Sequence, residues 1–289
     1  MNADLAAPSE GPLAMICGGG ALPMAVADYV AARGRKVVLF PLTGAADGLP
    51  VERYPHHRIR IGQIGKFMRL ARAEGARDVV FIGSLVRPRI LQTIPDFKAW
   101  TMMPRIIAAF RGGDDHLLTG MARLLEEEGF HLRGAHEVAP EILAPEGVLG
   151  RVQPSEADRA DIDFGMHYLD AASPFDIGQA VVVANRHVLA VEAVEGTDLM
   201  LARVAELRTN GRIRAASGRG VMVKAPKRNQ DRRFDLPSIG PRTVEGIVQA
   251  GLAGIAVVAG ATVIAEAEAL ISAADRAGIF IVSVPERQP

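Results

Sequence analysis

Residues 13–40 read LAMICGGGALPMAVADYVAARGRKVVLF. The apolar run Leu13 to Cys17 has the length of a buried strand. Gly18-Gly19-Gly20 turns the chain, an alanine-rich stretch from Ala21 to Ala32 reads as a helix, and Gly34 ends it. Lys36 to Phe40 is a second strand. Strand, glycine turn, helix and strand make the opening of a Rossmann-like half. The dinucleotide fingerprint is incomplete, however. Gly18 and Gly20 match the first two glycines of G-x-G-x-x-G, but Pro23 stands at the third, and Pro41 rather than an acid follows Phe40. The turn therefore keeps two readings, a loop aimed at a ligand and a turn that only packs helix on strand.

The same βα rhythm continues outward. Arg58 to Ile61 is expected as a short strand, Gly65 to Ala73 as a helix, and Asp78 to Gly83 as a strand. Asp96 to Phe110 carries Phe97, Trp100, Met103 and Phe110; it is either a core helix bent at Pro104 or an apolar wall for a greasy ligand, and composition favours the core. His116 to Glu128 is a helix with Asp114 or Asp115 as its cap, and His131 to Ala135 a last strand. Pro140, Pro145, Gly147, Gly150 and Pro154 then break the rhythm. The expected fold is α/β in two domains. Residues 1–11 are a disordered tail, 12–144 an N-terminal Rossmann-like parallel-sheet domain, 145–155 a linker, and 156–289 a C-terminal catalytic domain of mixed α/β character.

In the second half, Ser155 to Ala171 reads as a helix. Ala180–Ala184 and Val188–Val194 flank Asn185-Arg186 and read as a β-hairpin. A helix begins at Thr197 or Asp198. Later come a helix near Val244–Ala253, an apolar run Ile255–Ala259, a helix around Glu266–Ala277 and a strand Ile279–Val284.

The totals exclude several classes. The 289 residues carry 33 Lys+Arg and 33 Asp+Glu, so no whole-molecule field draws the chain to nucleic acid. Aromatics are 5%, too few for a base-stacking platform. A single cysteine, Cys17, permits no internal disulfide and fits a reducing cytoplasm. MNADLAAPSEG lacks the basic and apolar regions of a signal peptide, and the longest apolar stretch, Leu252 to Ala265, is too short to span a bilayer.

Chemistry concentrates in Val221–Thr243, VMVKAPKRNQDRRFDLPSIGPRT. A short strand runs into Lys224, Lys227, Arg228, Arg232 and Arg233 around Asp231 and Asp235, and Pro241 starts a helix. Period 2 places Lys224 last on the strand, and Pro226, with no N–H, ends it. Cations at a strand end suit phosphate oxygens. Carboxylates among them serve as ion pairs or as ligands for a hard cation such as Mg²⁺. A second acidic cluster, Glu192, Glu195 and Asp198, sits at another strand end; carboxylates there usually cap or complement a helix start. If the two strands share a sheet, the clusters converge as a metal-assisted phosphate site requires.

CGGGALP at 17–23, GDDHLL at 113–118, DIGQAVVV at 176–183, VEAVEGTD at 191–198 and VKAPKRNQDRRFDLPSIGPRTV at 223–244 occur in one order. Together they resemble the LpxI-type UDP-2,3-diacylglucosamine pyrophosphatases of lipid A synthesis. The resemblance runs from Leu13 to Val284. It implies Mg²⁺-assisted hydrolysis of UDP-2,3-diacylglucosamine to 2,3-diacylglucosamine 1-phosphate and UMP by a two-domain chain that forms a homodimer. It assigns the chemistry to Asp231 and Asp235. Beside them, Gln230 has two readings, orienting water or a phosphate oxygen and making a simple loop hydrogen bond. The candidate metal ligands are Asp231, Asp235, Glu195 and Asp198. The candidate substrate contacts are Gly19, Gly20, Gln179, Thr197, Lys224, Lys227 and Arg232. The expected location is the cytoplasm, with peripheral contact at the inner membrane surface and no nucleic-acid partner. Two alternatives stand beside this reading: a nucleotide-sugar-binding protein without turnover, and an NAD(P)-dependent oxidoreductase resting on the β–Gly–α–β start alone.

Overall fold

The computed structural model describes residues 11–83, 96–100, 114–175, 177–228, 231–233 and 236–286. The chain divides into two compact units. One is Met1–Pro140 together with Asp231–Asp235; the other is Glu141–Gln230 with Leu236–Pro289.

The first unit is built on four parallel strands in the order β2-β1-β3-β4, where β1 is Leu13–Cys17, β2 Val37–Pro41, β3 Asp78–Ile82 and β4 His131–Arg133. Every residue of β1 and β2 is buried, as parallel strands covered on both faces require. The Leu22–Ala32 helix carries the chain from β1 back to β2 and begins with Pro23 in its first turn, where a missing N–H costs nothing. The Ile64–Ala73 helix buries Ile64, Phe67, Met68 and Ala71 on one stripe. Phe67 packs edge-on to Phe40 at 4.8 Å between ring centroids, and Phe130 lies 5.8 Å beyond it.

Three expectations change here. Residues 55–59 run beside β2 but make only isolated bridges, Leu39 to His56 and Leu42 to Ile59, rather than a strand over Arg58–Ile61. Pro55 can accept the Leu39 N–H but donates nothing in return, so the ladder does not become regular. β4 stops at Arg133, and Ala135–Val138 turns into a short helix. Asp96 caps the helical residues 97–100 through the Ala99 N–H at 2.9 Å, and this buries Ala99 while leaving Phe97 85% and Trp100 64% exposed. These two aromatics are thus not core. Met103 and Phe110 lie outside the described residues.

The second unit is a six-stranded mixed sheet, order β5-β12-β10-β8-β6-β7. Its strands are β5 Gly147–Val148, β6 Ala180–Ala184, β7 His187–Val191, β8 Val221–Lys224, β10 Gly254–Val258 and β12 Phe280–Val284. β8, β10 and β12 are parallel; β6 is antiparallel to both β8 and β7, and β5 to β12. A separate pair, β9 Ser238–Ile239 and β11 Val263–Ile264, is parallel. The segment read as a linker thus supplies β5 to this sheet.

Period 2 in β8 sorts its side chains between two cores. Val221 and Val223 join Ile162, Met166 and Leu169 of the Glu156–Ala172 helix. Met222 joins Met200, Leu201, Val244, Ile247 and Leu270 of the Gly196–Thr209, Pro241–Gln249 and Ala267–Ala277 helices on the opposite face. Ser155 caps the Glu156–Ala172 helix in a reciprocal capping box with Asp158. From the same helix, buried Asp161 accepts the N–H groups of Asn185 at 3.0 Å and Arg186 at 2.5 Å. Those two residues are left-handed, at φ 53° and 55°, the backbone a two-residue hairpin turn demands.

Candidate functional site

β7 and β8 each pair antiparallel with the β6 strand between them, so they run in the same direction and end on the same edge of the sheet. Lys224 closes β8, Glu192 follows β7, and Gln179 precedes β6 on that edge. The ladder continues past the strands: Glu192 N–H donates to Ala180 O at 2.8 Å, Gly178 N–H to Glu192 O at 3.1 Å, and Ala225 N–H to Gln179 O at 3.0 Å. Gly178 is required by this closeness, since a Cβ there would stand 2.6 Å from both the carbonyl oxygen and Cγ of Glu192.

Lys224 and Glu192 are both buried, each only 8% exposed. Lys224 lies on the Met222 side of β8, toward the start of the Gly196–Thr209 helix. Its Nζ donates to Thr197 Oγ1 at 2.7 Å, and the Thr197 hydroxyl donates to Glu192 Oε1 at 2.7 Å. Glu192 Oε2 accepts the Gln179 N–H at 2.9 Å. A buried ammonium without acceptors is costly. Here one of its N–H groups donates to a hydroxyl whose own proton is committed to a carboxylate. Three of the expected contacts, Gln179, Thr197 and Lys224, are brought together, and Glu192 is the residue that joins them.

The other acids of the turn lie outside this chain of hydrogen bonds. Glu195 pairs with Arg203 Nη2 at 2.6 Å; hydrogen bonding from its own backbone N–H, then Arg203, keeps it below the usual carboxylate range. Asp198 pairs with Arg242 at 2.8 Å, both well exposed. Past β8 the loop is tied down by Arg228, whose guanidinium makes a two-pronged bond to Asp170 and whose N–H donates to Ser173 Oγ at 2.9 Å. Lys227, between them, is half-buried.

Residues 231–233 belong with the first unit. Arg233 grips both oxygens of Asp231, Nη2 to Oδ2 at 2.8 Å and Nε to Oδ1 at 3.0 Å, and its Nη1 reaches Glu126 Oε1 at 2.7 Å. Burial raises the Asp231 pKa. The Arg233 side chain, its backbone N–H and its charge outweigh that, with help from His136, and the net value falls below the ordinary one. Asp231 is therefore an ionised carboxylate in a half-buried setting. Arg232 is exposed. In the same unit, Gly18 N–H donates to Ile82 O at 2.8 Å, and Gly20 is left-handed at φ 92°. Gly83, at φ +99°, passes so close that a Cβ would lie 2.7 Å from Gly19 O. Gly19 and Gly20 thus form a bare backbone turn before the Leu22–Ala32 helix. Cys17 is buried, and burial pushes its thiol up to about 12, so it is no nucleophile.

Gln230 and Asp235 lie outside the described residues. Among the described residues, no three His, Cys, Asp or Glu side chains gather as a ligand set for a metal ion. Mg²⁺ does not need such a set, since one or two carboxylates plus substrate phosphates suffice. Of the four expected ligands, Asp231 is held on both oxygens by Arg233. Arg233 donates to Oδ1 from its backbone N–H at 3.1 Å and from Nε at 3.0 Å, and to Oδ2 from Nη2 at 2.8 Å, so a cation there shares this carboxylate with the arginine. Glu195 and Asp198 are each committed to an arginine.

Two family models match this chain. The LpxI N-terminal domain model matches residues 12–142, and the LpxI C-terminal domain model residues 145–282. Among curated proteins, the chain is similar to the UDP-2,3-diacylglucosamine pyrophosphatase LpxI of Caulobacter vibrioides. The two are 43% identical over 278 residues, which covers 96% of this chain and 99% of that protein.

Proposed function

Since this chain belongs to the LpxI family, we propose that it is a hydrolase that cleaves the pyrophosphate of UDP-2,3-diacylglucosamine to 2,3-diacylglucosamine 1-phosphate and UMP. The observation that carries the reading is the buried, oriented Lys224 at the C-terminal end of β8, in the strand that leads into the Asp231 loop.

A pyrophosphate diester brings about two negative charges, and water attacks only once they are screened. Lys224 holds a phosphate oxygen with an ammonium that Thr197 has already aimed. Lys227 in the second unit and Arg232 in the first each bring a cation of the kind that suits a phosphate oxygen. The backbone N–H groups of Gly19 and Gly20 offer a further anion contact, because no side chain stands in their way. Asp231, held ionised, takes the proton of the attacking water, and Gln230 orients that water. Mg²⁺, when bound through Asp231 and Asp235, supplies further neutralisation of the phosphate oxygens.

Phe97 and Trp100 support peripheral contact with the cytoplasmic surface of the inner membrane: both are exposed, and the substrate carries two acyl chains. Among the described residues, no helix is long and apolar enough to cross a membrane. The active form is a homodimer, which light scattering after size exclusion checks. The reading is tested by product formation from UDP-2,3-diacylglucosamine in Mg²⁺ against EDTA. Release of UMP only with Mg²⁺ supports it; tight binding of the nucleotide sugar without any release would favour the non-catalytic binder. The oxidoreductase reading has nothing beyond the glycine turn, and an absence of NAD(P)H binding would close it.

A further inference from the structure

We propose that Glu192 is a positioning residue: it aims the Lys224 ammonium at the substrate phosphate through the hydroxyl of Thr197. The proposal rests on the pyrophosphatase reading above and adds to it a residue that makes no contact with substrate.

The case is geometric. Glu192 is buried, and both of its carboxylate oxygens are occupied, Oε1 by the Thr197 hydroxyl at 2.7 Å and Oε2 by the Gln179 N–H at 2.9 Å. Its backbone is fixed on both sides, by Ala180 O and by the Gly178 N–H. The carboxylate therefore has one placement. Because Thr197 must donate its only proton to Glu192, its oxygen faces Lys224 as an acceptor. Reverse the hydroxyl and the ammonium meets a donor. One of the three N–H bonds of Lys224 is thereby set, and with it one contact that holds Nζ in place. A neutral amide at position 192 breaks this logic, because it places an NH₂ group against either the Thr197 hydroxyl or the Gln179 N–H. The carboxylate also brings a compensating negative charge one hydroxyl away from a buried cation.

A purely structural Glu192 would hold the β6–β7 edge and nothing else. The two roles part in a double-mutant cycle with Lys224. Glu192→Gln and Lys224→Met are made singly and together, and turnover of UDP-2,3-diacylglucosamine is followed beside a thermal melt. The expected result is a loss of about 10-fold in kcat/KM for Glu192→Gln, the scale of one misdirected charged hydrogen bond, divided between kcat and KM as in Lys224→Met. In the Lys224→Met background the same change should cost less than about 2-fold. An equal loss in both backgrounds, or unchanged kcat/KM in folded Glu192→Gln, would overturn the proposal. If Glu192→Gln does not fold, Thr197→Val takes its place in the cycle, since it cuts the link to Lys224 and leaves Glu192 on Gln179. If the wild-type protein turns nothing over, the functional reading fails by itself. Calorimetric titration with inorganic pyrophosphate then decides the positioning role. Weakening by the same factor in Glu192→Gln and Lys224→Met supports it, and weakening in Lys224→Met alone overturns it.

Discussion

After β1 the chain offers backbone; after β7 and β8 it offers side chains. The first unit ends β1 in Gly18-Gly19-Gly20 and β3 in Gly83, which packs so tightly on Gly19 that no Cβ fits. The second unit ends β8 in a buried lysine and β7 in a buried glutamate joined through Thr197. Strand ends in open α/β sheets are where ligands gather. A parallel βαβ start supplies a turn and a helix N-terminus, so its anion contact is built from N–H groups and requires the absence of side chains. A mixed sheet brings two parallel strands to one edge through an antiparallel strand between them, and residues 32 positions apart, Glu192 and Lys224, become neighbours of one hydroxyl.

Four substitutions would sharpen or break this contrast. Asp231→Ala should lower kcat by at least ~10²-fold, the scale of losing a positioned base, while substrate binding largely survives because the cations remain. Steady-state kinetics with a binding titration check it, and turnover near normal would move the chemistry out of the 231–235 segment. Gly83→Ala should destabilise the first unit by about 2 kcal/mol, from the left-handed backbone and the collision with Gly19 O together. A denaturant titration reads that, and an unchanged midpoint would mean the glycine turn is not a tightly packed backbone site. Lys224→Ala should cost more than ~10-fold in kcat/KM. Because Lys224 is only 8% exposed and Thr197 loses its donor, its melting temperature should fall as well, whereas a solvent-placed lysine would leave the melt unmoved. Arg242→Ala should change stability by less than about 0.5 kcal/mol, since its partner Asp198 and Arg242 itself are both exposed; a larger loss would show that this pair belongs to the site.

The sequence carried the α/β class and the unit starts because those depend on local pattern. LAMIC and KVVLF bounded by glycines, Asn185-Arg186 between two apolar runs, and Pro241 ahead of Thr243 each name their own structure. β5 was hidden because Gly147-Val148 lies in a run of prolines and glycines that reads as a break, and its pairing with Val282 and Ser283 is wholly non-local. The sequence leaves Phe97 and Trp100 between core and an apolar wall, because composition says what a side chain is, not which face Asp96 turns outward by capping the helix. Lys224 was legible as the last strand residue. That it is buried, and that Glu192 rather than Glu195 or Asp198 answers it, depends on β6 pairing with both β7 and β8. The sequence also leaves Asp231 next to β8, although residues 231–233 belong with the first unit.

Hydrolysis of a pyrophosphate by this chain is proposed to depend on the Asp231 carboxylate. Phosphorus NMR of the products formed from UDP-2,3-diacylglucosamine in ¹⁸O-labelled water tests it most directly, with wild type beside Asp231→Ala. The expected result is UMP and 2,3-diacylglucosamine 1-phosphate from the wild type, one of them shifted by ¹⁸O, and almost none from the variant. Unlabelled products, no products from the wild type, or wild-type turnover by Asp231→Ala would contradict it.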